Sequence, residues 1–145
     1  MRPKKILLLL LSALLLLPTP IGAHAASPSA TPKPDSPTYF RTSALGNLTD
    51  MKKDIGDARL ALEKGGSWRL LGNAAEIAFN VGQLEALTPP TQYSKTWLKQ
   101  VSELDSLSDK FMDSISNGSV SNTRSVLSKM SKLIKSMETY VKKVK

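Results

Sequence analysis

The stretch Val126-Leu127-Ser128-Lys129-Met130-Ser131-Lys132-Leu133-Ile134-Lys135-Ser136-Met137-Glu138-Thr139-Tyr140-Val141-Lys142-Lys143-Val144 decides the fold class. Val126, Met130, Leu133, Met137, Tyr140 and Val144 step by 4-3-4-3-4, which on a helix puts all six on one side. Leu127, Ile134 and Val141 widen that stripe to the breadth of a bundle core, more than a two-stranded seam needs. A lone helix cannot bury such a face, so other helices must cover it.

Working back from this segment, the chain supplies three of them. Asn117-Gly118, Pro89-Pro90 and Gly65-Gly66 punctuate the sequence, and the pieces between them have helical periodicity. The third piece begins near Pro89, with Thr88 as its cap, and turns Trp97, Val101, Leu104, Phe111 and Ile115 inward, with Ser108 in the one polar heptad position. The second covers about residues 68–87, with Ser67 as N-cap and a stripe of Leu71, Ala74, Ala78, Val81 and Leu84. The first covers about residues 43–64, with Ala44, Leu48, Met51, Ile55, Ala58 and Leu62 in register. Short connections make consecutive helices antiparallel. The expected fold is therefore all-α, an up-down-up-down four-helix bundle over residues 43–145.

The N-terminus reads differently. Arg2, Lys4 and Lys5 precede Ile6 to Leu17, a nearly pure Leu run too short to span a bilayer. Pro18 and Pro20 follow, then Ala23-His24-Ala25, a small–x–small cleavage pattern. Residues 1–25 are expected to be a signal peptide cut after Ala25, which places the protein outside the cytoplasm: extracellular, periplasmic or in a thylakoid lumen. Residues 26–42 are expected to form a Pro/Ser-rich disordered tether, because the prolines at 28, 32, 34 and 37 come with no large apolar side chain before Tyr39.

The 145 residues hold 20 Lys and Arg against 12 Asp and Glu, one His and no Cys. Processing would remove His24, the only histidine. Without Cys there is no disulfide, thiol nucleophile, iron–sulfur site or c-type haem attachment. Without His there is no Ser-His-Asp triad, His-ligated zinc or imidazole acid–base chemistry, and no Glu-x-x-His di-iron site. No constellation of nucleophile, base and oxyanion donors stands out, so the expectation is a non-enzymatic protein without a cofactor or metal site.

Charge is uneven along the chain. Residues 26–117 are close to neutral, whereas residues 118–145 carry Arg124, Lys129, Lys132, Lys135, Lys142, Lys143 and Lys145 against Glu138 alone. On a helical wheel Arg124, Lys129, Lys132, Lys135, Lys142 and Lys143 fall away from the apolar stripe. Such a row suits an anionic envelope polymer, a membrane surface or an envelope protein complex. Lys dominates over Arg and no aromatic residues interleave, which argues against nucleic acid. Asp105, Asp109 and Asp113 form an acidic row on the third helix that matches the lysine-rich fourth electrostatically. One straight row does not wrap a cation such as Ca²⁺. Trp68, Tyr93 and Trp97 are the candidates for a small-ligand pocket at a bundle end, which would make the chain a small-ligand or metal carrier.

With Trp68 at the start of the second helix and Leu87-Thr88-Pro89-Pro90 linking it to the third, the chain resembles the PsbQ-like extrinsic proteins of photosystem II. These are exported four-helix bundles with a flexible, proline-containing N-terminal segment. The resemblance is one of architecture over most of residues 43–144, without a diagnostic motif, and the lipobox Cys common in cyanobacterial members is missing. It implies an extrinsic subunit docked on a larger complex.

Overall fold

In the computed structural model the described residues are 36–145. The expected leader and residues 26–35 of the expected tether lie outside them. Four helices follow in order: α1 (Pro37–Glu63), α2 (Ser67–Glu85), α3 (Thr91–Ser116) and α4 (Val120–Val141). There is no strand among the described residues.

Side-chain bonds run down the α1–α4 pair in opposite chain order, the signature of an antiparallel neighbour. Arg41 Nη1 donates to the Val144 carbonyl (3.2 Å), and Lys52 Nζ meets Glu138 Oε1 (3.1 Å). Arg59 Nη2 donates to Ser131 Oγ (2.8 Å) and the Leu127 carbonyl (3.3 Å). Each helix packs against its two chain or ring neighbours, α1 on α2, α2 on α3, α3 on α4 and α4 on α1, and neither diagonal pair approaches at backbone level. This is the expected up-down-up-down bundle. The diagonal gap at one end is closed by aromatic volume: Phe40 of α1 meets Trp97 of α3 edge-on, with ring centroids 4.9 Å apart.

The helix-ending glycines behave as local physics requires. Gly65 (φ 70°) and Gly118 (φ 64°) take the left-handed conformation that a Cβ disfavours. Gly118 completes a paired-carbonyl cap, with Ser119 N–H on Ser114 O (3.0 Å) and Gly118 N–H on Ile115 O (3.0 Å), while after Gly65 the Gly66 N–H reaches Ala61 O (2.8 Å). α4 buries the expected Val126, Met130, Leu133, Met137 and Val144 with Leu127, Ile134 and Val141, and leaves Tyr140 half-buried.

Three expectations need correction. α1 begins at Pro37 and not near residue 43, so the tether cannot extend to 42. Ser36 Oγ accepts the Tyr39 N–H (3.1 Å), Pro37 suits the first helical position, and Phe40 is buried against Trp97. α3 begins at Thr91, with Pro90 in the cap position, and Thr88 makes no capping bond. The second proline keeps Pro89 out of helical geometry, so the chain stays extended through both.

The largest correction concerns α2. Its buried stripe is Leu70, Ala74, Ile77, Val81 and Leu84, while Leu71 and Ala78 face outward. Gly66, not Ser67, occupies its cap, and no side chain caps it. Rotating the helix this way buries Ile77 in place of Ala78. Three extra carbons at about 0.8 kcal/mol each favour that choice by about 2 kcal/mol.

Candidate functional site

The α4 surface is built by the same periodicity that builds its core. Residues that alternate with the apolar stripe must face out, and Arg124, Lys129, Lys132, Lys135, Lys142 and Lys143 are all exposed. Lys142 and Lys143 lie just past the last helical residue, Val141, where positive charge also suits the helix dipole. From Arg124 to Lys143 the row extends over about 28 Å at 1.5 Å per residue. Among the described residues none of these six side chains is in an ion pair.

The one acid on this helix does not offset them. Glu138 lies on the α1 flank, 15% exposed, and both its oxygens are taken by Lys52 (3.1 and 3.2 Å). With Glu138 held by Lys52, the outward lysines keep their charge against it, and the field of such a row reaches about 8–10 Å into solution at physiological salt.

The acidic row on α3 is exposed, and its last member lies close to α4: Asp113 lines a shallow groove with Lys129, Asn117 and Asn122. Gln100 and Ser114 of α3 bond α4 through Ser136 and Thr123, and Ser114 lines the same groove as Asp113. Among the described residues no three acidic or metal-ligating side chains converge as a cation site. Met51, Met130 and Met137 are fully buried core residues.

Trp68, Tyr93 and Trp97 are not brought together. Trp68 opens α2 at the end of the bundle where α1 finishes, and is 87% exposed. Tyr93 and Trp97 belong to the opposite end. There Tyr93 Oη donates to the Lys143 carbonyl (3.0 Å), Tyr140 Oη donates to the Tyr93 carbonyl (3.0 Å), and Trp97 is wholly buried against Phe40. This end is latched by packing and by these two tyrosine bonds. The Trp97 indole N–H and Gln100 Oε1 are buried without a partner.

Sequence reasoning missed the outer face of α2. Trp68, Leu71 and Phe79 are exposed there, at 87%, 38% and 62%. The available signal was that α2 is apolar on two faces, and a helix with two such faces needs two coverings. At the edge of this helix Asn80 Nδ2 donates to Asp54 Oδ2 (3.1 Å). Burial, and then the nearby Glu76 carboxylate, raise the Asp54 carboxyl above its ordinary range, against weaker opposing effects from Lys53 and the Asn80 bond.

No described helix is long and apolar enough to cross a membrane. Comparison with protein-family models, curated proteins and solved structures finds no match to the chain.

Proposed function

We propose that the chain is a non-enzymatic, exported helical-bundle interaction module of the cell envelope. It docks through the lysine row of α4 on an anionic surface or a larger anionic assembly. The observation that carries this reading is the exposed row Arg124, Lys129, Lys132, Lys135, Lys142 and Lys143, with the only acid of the helix neutralised from α1 by Lys52. The resemblance to PsbQ-like extrinsic bundles points to the same mode of action, docking on a larger complex.

The test is sedimentation with anionic vesicles or teichoic-type wall polymer at low and high salt. At about 1 kcal/mol per residue, the combined Lys132→Gln, Lys135→Gln and Lys142→Gln variant should bind about 100-fold more weakly, and high salt should do the same to the parent chain. Binding unchanged by both salt and the triple substitution rejects the proposal.

A further inference from the structure

Among the described residues nothing packs over the outward face of α2. Trp68, Gly72, Ala75, Phe79, Gly82 and Ala86 step by 4-3-4-3-4 directly behind the buried stripe, and all six are exposed. Two aromatic knobs thus alternate with small residues. Gly72 and Gly82 are helical, and a Cβ at either would meet nothing within 4 Å. The fold therefore gains nothing from their lost helix propensity. Gly46 and Gly56 of α1 are similarly open, but no exposed aromatic residue flanks them.

Charge selects the occupant. Arg69 and Glu76 lie seven residues apart on one flank of this face, and neither is in an ion pair among the described residues. In a two-fold antiparallel pair of α2 helices, like flank meets like flank. Arg69 of each copy then faces Glu76 of the other when the helices cross at the midpoint, beside Gly72, where the missing side chain permits the closest approach. Trp68 of one copy falls between Ala75 and Phe79 of the second. A parallel pairing would set this charged flank against Leu71 and Ala78 and satisfy neither charge.

A bilayer is the competing occupant, since exposed aromatic residues also insert into lipid. An interfacial helix, however, borders its apolar face with cations. Here the cationic row is on α4, which lies across the bundle diagonal and does not approach α2 at backbone level. We propose that the outer face of α2 binds a second copy of this chain, as an antiparallel two-fold dimer crossing near Gly72. The consequence, which rests on the docking role proposed above, is that each dimer presents its two lysine rows on opposite outer sides and can bridge two anionic surfaces.

The test is sedimentation equilibrium of the chain as purified, from about 1 to about 200 μM, with circular dichroism to verify that each variant is folded. The parent chain should double in mass within this range. Arg69→Glu and Glu76→Arg should each weaken the dimer by about tenfold or more, and combining them should restore it. Phe79→Ser should leave a helical monomer. The Lys132→Gln, Lys135→Gln and Lys142→Gln variant should dimerise as the parent does, which separates this proposal from the docking role. A parent chain that stays monomeric throughout overturns the proposal, as do folded charge reversals that are not rescued by combination. Tight binding to neutral phosphatidylcholine vesicles without self-association overturns it in favour of the bilayer.

Discussion

Phe40→Ala tests where the fold begins. Phe40 is 1% exposed and meets Trp97 edge-on at 4.9 Å, across a diagonal that the backbones leave open. Removing the ring forfeits about 2–3 kcal/mol of burial and about 0.5–1.5 kcal/mol of aromatic pairing, and the cavity adds to both. The expected loss is about 3–5 kcal/mol, a large part of the 5–15 kcal/mol typical of a whole domain. Urea unfolding followed by circular dichroism should show the midpoint falling by about 2 M with little change in slope. Thr42→Ala, on the exposed side of the same helix, should stay within about 0.5 kcal/mol of the parent. A Phe40→Ala loss below about 1 kcal/mol would refute the reasoning, because residues 37–42 would then not be docked on the bundle.

Other consequences can be checked by the same means. Because the Asp54 carboxyl is raised in the fold, its contribution favours folding when protonated, below the ordinary carboxylate range, and turns into a penalty as pH rises through the raised value. Asp54→Asn should therefore raise the melting temperature at pH 7 and leave it nearly unchanged at pH 3; a gain that is the same at both pH values would contradict the assignment. Gly118→Ala should destabilise by about 1–2 kcal/mol, since its φ of 64° is left-handed. Gly46→Ala should instead stabilise by about 0.5–1 kcal/mol, since a Cβ there meets nothing. Equal signs in chemical denaturation would refute that contrast.

The number of helices, their approximate limits and the core face of α4 were legible in residue order alone. Helical periodicity and the conformational demands of Gly65, Gly118 and the Pro89-Pro90 pair are properties of a few neighbouring residues, so no tertiary partner is needed to read them. The exposure of the lysine row was legible for the same reason: a side chain opposite a buried stripe has only solvent to face. That Glu138 does not offset the row was not, because it finds its partner Lys52 on a helix 86 residues away in sequence.

Packing between helices decided the rest. Residues 37–42 join α1 because Phe40 finds Trp97, a contact absent from any local window. α2 has two apolar faces of similar period, and its own sequence does not rank them. Its neighbours do, because turning Ile77 inward buries more surface than turning Ala78 inward. That rotation leaves Trp68 and Phe79 facing solvent. Trp68 opens α2 whereas Tyr93 and Trp97 open its antiparallel neighbour α3, so they stand at opposite ends of the bundle, which is why three aromatic residues form no common pocket. Periodicity within one segment limits which faces can be buried; only the area gained against the other helices selects among them.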